Sequence, residues 1–205
     1  MIPAHFTVAK NIILAEIPFF LALYLFVVAK TRTWLWWILC AVFIAFLPNA
    51  AYTLTDIIHF IGAVQSGTHS IAYLVFVLFP IYLLYMVINF QFYVISIQLA
   101  HNYIKQEGYL KLAKWFIPLI HFACAIGVYL GRVQRLESRN LFEKPLLVMK
   151  DVWVDMTNLH SLSLILLFFA LFYGLYAIFA HINQRIWDKR FAPYWHAMQR
   201  VKQTS

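Results

Sequence analysis

The sequence predicts an all-α fold, a polytopic transmembrane helix bundle of about five spans, and three observations carry that expectation. Hydrophobic residues make up 63% of the chain, charged residues 12%, and mean hydropathy is +0.74, more apolar surface than a water-soluble chain of this size could hide. The apolar residues fall into five runs separated by polar turns. The 16 Lys and Arg, source of a formal charge of +8, lie mostly between those runs. Membrane orientation explains that placement, so no nucleic acid partner is expected. Lipid offers no partner to unpaired backbone groups, so each run reads as a helix.

The first run, at about residues 11–29, is long enough to span and lacks a convincing signal-peptide cleavage site, so a retained helix is expected. It contains Glu16 two residues before Pro18, a rare intramembrane acid that is either functional or close enough to the head groups to snorkel. The second run, 34–47, is short. It reaches spanning length only by continuing past Pro48 to residue 60, as a kinked helix. The third, 71–99, gives about 43 Å at about 1.5 Å per residue against a hydrocarbon core of about 30 Å. It is expected to tilt, bend near Pro80 and leave the bilayer around Asn89–Gln98. The fourth and fifth runs, 115–130 and 162–180, complete the bundle; Gly127 and Gly131 in the fourth form a small-xxx-small pattern that predicts close packing on a neighbour. Between them Leu146, Met149, Trp153 and Met156, opposed by Lys150, Asp151 and Asp155, predict an interfacial amphipathic helix in the 131–161 loop. No repeat or low-complexity linker divides the chain, so residues 1–205 are expected to form one integral membrane domain.

Orientation follows from the cations. With the N-terminus outside, the inner segments hold ten Lys and Arg and the outer segments six, which favours N-out and C-in. Cys40 and Cys124 lie inside apolar runs without metal-type spacing, and neither a disulfide nor a zinc site is expected. His59, His121 and His160 likewise show no recognised ligand spacing, and no cofactor is identified.

Two polar motifs stand where apolar runs end. Asn49, Tyr52, Asp56 and His59 follow a 3, 4, 3 spacing, which at about 100° per residue confines them to one stripe of a helix. On the functional reading Asp56 is a base or cation ligand, His59 its proton partner, and Tyr52 a donor to substrate. On the structural reading a helix leaving the membrane simply becomes polar. Arg132, Arg135 and Arg139, with Ser138 between them, form a second stripe of opposite charge. Forked guanidiniums suit phosphate or carboxylate, and an interfacial cluster binding lipid head groups is the plainer alternative. The proposed topology puts both stripes at the same membrane face.

At these motifs the chain resembles the bacterial multi-pass membrane family labelled domain of unknown function 1361. The stretch from Phe46 through Pro48, Asn49, Tyr52 and Asp56 to His59 is similar to that family's Leu-Pro-Asn-Ala-Pro-Tyr-x-x-Thr-Asp-x-x-His segment, with Ala51 where Pro is usual. Gly127-Val-Tyr-Leu-Gly131-Arg132-Val-Gln-Arg135 is similar to its Gly-x-Tyr-Leu-Gly-Arg-x-x-Arg segment. Beyond Arg135 the chain departs from the family's Asn-Ser-Trp-Asp continuation and keeps only Ser138. The resemblance implies a membrane location, taken as the bacterial cytoplasmic membrane, and no particular reaction.

Two functions from different classes follow. In the first, an outward-facing pocket between the ends of helices two and four binds an anionic, lipid-linked group, through Asn49, Tyr52, Arg132, Arg135 and Ser138. Were it an enzyme, Asp56 and His59 would manage protons. In the second, the protein is a non-enzymatic accessory subunit or transporter component, and the charges form a gating or docking network with a protein partner. Membrane lipids surround it in either case.

Overall fold

The computed structural model describes residues 4–29, 31–133 and 145–186, and among them all regular structure is helical. Helix α1 (Ala4–Leu23) passes into a π-helical turn at Tyr24–Val28; α2 (Trp34–Tyr52) tightens into a 3-10 turn at Thr53–Asp56 and continues as α3 (Ile57–Gln65). A short α4 (Ile71–Tyr73) runs through a second π-helical turn, Leu74–Leu78, into α5 (Phe79–Gln106), followed by α6 (Leu110–Arg132), α7 (Pro145–Thr157) and α8 (Leu159–Ile186). Five segments are long and apolar enough to cross a membrane: Asn11–Val28, Trp34–Gln65, Ile71–Gln106, Leu110–Arg132 and Leu159–Ile186.

Local chemistry sets the boundaries. The Thr33 hydroxyl accepts from the Trp36 N–H at 3.4 Å and caps α2; Ser70 does the same for Tyr73 at 3.3 Å. Gly108, at φ +83°, makes the turn from α5 to α6, a conformation other residues adopt at a cost. Pro80 has no N–H, and its ring crowds the carbonyl four residues back, at Phe76. The wider π turn at Leu74–Leu78 lies where that crowding falls.

Lipid tails are as apolar as leucine, so van der Waals packing must hold the helices together. Fully buried alanines permit the close approach: Ala15 and Ala22, seven residues apart on α1, then Ala50 and Ala51 on α2 and Ala125 on α6. Phe43, Phe90, Tyr93 and Phe172 fill the space between them. Helix α6 meets α2 at the predicted small residue, where a Cβ added to Gly127 would lie 2.7 Å from Pro48 Cβ and 2.8 Å from its Cγ.

One segment is packed more closely than its polarity predicts, and one expectation is corrected. Around the expected exit at Asn89–Gln98 the helix stays packed within the bundle: Asn89, Phe90, Tyr93, Val94, Ser96 and Ile97 are buried, and on the other side of α5 Gln91 and Gln98 bond Asn183 of α8. Asp155 is not on a solvated face of α7. It is 8% exposed, whereas Leu146 and Trp153 are 80% and 73% exposed. Its carboxylate instead joins the Tyr129 and Ser161 hydroxyls, at 3.3 and 3.2 Å, in a buried cluster. Those two hydroxyls are 2.8 Å apart.

Candidate functional site

The end of α2, the start of α1, the first half of α5 and the end of α6 converge on Asp56. The 3-10 turn explains how one short segment serves several contacts: at three residues per turn, side chains three apart eclipse. Tyr52 and Thr55 therefore stand one above the other, and Asp56 and His59, three apart where α3 begins, lie on adjoining positions of one side. Thr53 and Thr55 return their hydroxyl hydrogens to the carbonyls of Ala50 and Tyr52, at 2.8 and 2.6 Å. The Thr55 oxygen keeps its lone pairs for a donor from elsewhere.

That donor is Arg132. Its Nε and Nη2 donate to Thr55 Oγ1 at 2.8 and 2.6 Å, and Nη2 also donates to Asp56 Oδ1 at 2.7 Å. The guanidinium carbon lies 3.9 Å from the centre of the Tyr52 ring, within cation–π range. Asp56 is fully buried and accepts further from the Tyr85 hydroxyl at 2.8 Å and from Asn11 Nδ2 at 3.2 and 3.4 Å. His59 Nε2 stands 3.7 Å from Asp56 Oδ1, with 27% of its side chain exposed, beyond hydrogen-bond reach and open to the surroundings. Burying two charges is costly, and it is tolerated when pairing and added hydrogen bonds satisfy both groups. Here they do.

Of the sequence-predicted residues, the structure brings Tyr52, Asp56, His59 and Arg132 together. Asn49 donates to the Phe46 carbonyl at 3.2 Å within its own helix. Arg135 and Ser138, with Arg139 and Glu137, lie outside the described residues. Glu16 is half-buried on α1 and takes no part in the Asp56 cluster. Three contributors were not assigned from the sequence. Asn11 opens the first apolar run beside Lys10, a polar signal at a helix end. Thr55 adjoins Asp56 within the motif itself. Tyr85 sits in an apolar stretch, and only its spacing from Asn89 and Tyr93 marks it.

His121 lies in the bundle core with no exposure, its Nδ1 2.7 Å from the Ile117 carbonyl and its ring edge-on to Tyr93, Tyr173 and Tyr176. Cys40 and Cys124 are free thiols. Among the described residues no group of three or more His, Cys, Asp or Glu is placed to hold a metal ion.

Fold and site together define the class, an all-α polytopic membrane protein with a buried carboxylate–guanidinium pair where its helix ends meet. The family described as "Protein of unknown function (DUF1361)" matches residues 10–175, and the chain belongs to that family. No curated protein and no solved structure matches it.

Proposed function

We propose that the protein binds an anionic, lipid-linked group at the end of the bundle where Arg132 is held. What supports the reading is the presetting of Arg132: Thr55, Asp56 and the Tyr52 face fix its orientation through Nε and Nη2. Nη1 is not among the atoms so engaged, and the side chain remains 15% exposed. A guanidinium fixed on one edge and open on the other receives a phosphate or carboxylate with little loss of conformational freedom. Arg135 and Ser138 extend the anion site, Asn49 and Tyr52 line it, and Asp56 orients the arginine. His59, partly exposed beside Asp56, is the group that exchanges a proton with a bound ligand. The site faces outward across a bacterial cytoplasmic membrane, with the N-terminus outside, the C-terminus inside and α7 lying at the interface on its Leu146 and Trp153 side.

The test is mass spectrometry of lipids that co-purify in mild detergent with the native protein and with an Arg132→Ala, Arg135→Ala variant of equal helix content. One headgroup class retained by the first and lost from the second is the expected result. Orientation is checked separately. Ser66→Cys and Lys150→Cys, each in a background lacking Cys40 and Cys124, should both react with an impermeant thiol reagent in intact cells.

The second reading, an accessory subunit or transporter component, is favoured by one observation: the Asp56 cluster ties α1, α5 and α6 to the end of α2, as a purely architectural knot would. Co-purification of one stoichiometric protein, with no lipid class lost on changing Arg132, would select it.

A further inference from the structure

Helix α5 carries a second polar feature that anion binding does not use. Tyr85, Asn89, Tyr93 and Ser96 follow at spacings of four, four and three, which places them on one face. Tyr103 and Glu107 continue the same face to the opposite end of the bundle, where the Tyr103 hydroxyl accepts from Arg32 Nε at 2.8 Å and Glu107 pairs with Arg32. From Tyr85 to Glu107 the rise is about 33 Å, close to the thickness of a bilayer core. Polar groups at that depth are expensive and mark functional paths.

The hydrogen bonds along this face divide it into two halves. In the first, Tyr85 donates to Asp56, and Asn89 Nδ2 donates to the Tyr85 carbonyl at 2.8 Å. The other amide atom, Asn89 Oδ1, is buried without a hydrogen-bond partner among the described residues, and so are the Tyr93 hydroxyl and His121 Nε2. The Cys124 thiol faces the Tyr93 hydroxyl, but a thiol is a weak partner. With His121 Nδ1 donating to the Ile117 carbonyl, Nε2 is an acceptor. The unmet set is thus two acceptors and one phenol. Water matches it, since each molecule donates twice and accepts from a hydroxyl.

In the second half no buried side-chain polar atom among the described residues lacks a hydrogen-bond partner. Ser96 returns its hydrogen to the Phe92 carbonyl at 2.7 Å, and Ile97 and Ala100 are buried at 0% and 1% exposure. Beyond them Phe26 packs on Phe43 and Tyr103, with ring centres 5.4 and 5.3 Å apart. Along this face the half is closed by those side chains, and the Gln98 and Asn183 amides on the other side of α5 are bonded to one another at 2.9 Å.

We propose that a hydrated half-channel enters the bundle at the Asp56–Tyr85 end, runs along α5 past Asn89 and Tyr93, and ends at His121. The imidazole is thereby in contact with water, and with exchangeable protons, from one membrane face only. The aromatic plug around Phe26 and Tyr103 shuts it off from the other. The protein so built carries a buried, proton-exchanging histidine near mid-membrane in addition to the charged site at its rim.

The experiment is nuclear magnetic resonance of protein with nitrogen-15-labelled histidine in lipid nanodiscs, reading magnetisation transfer from water to the His121 ring. Native protein should show transfer to His121 with the proton on Nδ1. Asn89→Leu, which blocks the route between the mouth and His121, and Tyr93→Phe, which removes the phenol, should each slow the build-up at least threefold while the Nδ1 signal is kept. Absence of transfer in the native protein overturns the proposal without recourse to any variant. Transfer undiminished in Asn89→Leu overturns the route, since water would then reach His121 from the Arg32 end.

Discussion

Two arginine–carboxylate pairs occupy opposite ends of this bundle, and their surroundings differ more than their chemistry. At one end Arg132 and Asp56 have side chains 15% and 0% exposed; at the other Arg32 and Glu107 are 32% and 39% exposed. Each guanidinium also lies against aromatic rings, Arg132 over Tyr52 at 3.9 Å and Arg32 near Tyr103 and Trp36 at 5.4 and 5.9 Å. The buried carboxylate collects donors from three other elements, whereas the exposed one serves a single turn-to-turn contact. An ion pair owes its structural weight to how much water its partners have lost, because removing one partner from a buried pair strands an unsolvated charge. At an exposed pair water takes over.

Removing Arg132 should therefore have the largest effect. Arg132→Ala is expected to cost about 3–5 kcal/mol by leaving Asp56 buried and unpaired, read as equilibrium unfolding in mixed detergent micelles. Combined with Asp56→Asn, it should cost less than the sum of the single changes by about 1–3 kcal/mol. Additivity would mean that the two charges do not depend on one another.

Tyr85→Phe removes one hydrogen bond to a charged acceptor and should cost about 1.5–3 kcal/mol, measured in the same way, with no change in helix content. Gly127→Ala tests the packing that sets α6 against α2. The added methyl meets the rigid Pro48 ring at 2.7 Å, and overpacking of this kind costs about 1–3 kcal/mol. It should also weaken ligand retention if that contact sets the position of Arg132.

The smallest effect belongs to the exposed pair. Arg32→Gln should leave the unfolding midpoint nearly unchanged, and the difference from native protein should vanish in 1 M salt, where the screening length falls to about 3 Å. Salt is the right probe there. The hydrogen bond to Glu107, with that to Tyr103, raises the Arg32 pKa above its ordinary value. A base raised on folding contributes stability that is complete below its unfolded pKa and lost only as pH climbs through the folded one, so no change is expected between pH 5 and 9 from this group.

Much of the fold was legible because lipid leaves the chain few choices. A run such as 34–47 had to borrow residues beyond Pro48 to span, and the helical path does continue through Tyr52, the 3-10 turn and α3 to Gln65. Polarity in the Asn89–Gln98 segment does not report contact with water, because polar side chains can be packed inside a bundle. Asp155, expected on a solvated face, is buried for the same reason, and its neighbours Trp153 and Val154 are the exposed ones at 73% and 54%. For the site, residues on one stripe of one helix could be grouped by spacing alone, as Tyr52, Asp56 and His59 were.

The helical class, the number of apolar segments long enough to span and the two polar motifs could be read from the residues alone, because hydropathy and periodicity are local properties that a bilayer enforces on each segment separately. Folding of the bundle is what brings Asn11, Tyr85 and Arg132 to Asp56, from positions 45, 29 and 76 residues away. It also decided that Asp155 turns inward, and that Asn89, Tyr93 and His121 share one buried column. Contacts across such separations depend on which helices lie side by side and at what rotation. Those are fixed by packing of the whole bundle, such as Gly127 on Pro48, and no single segment records them.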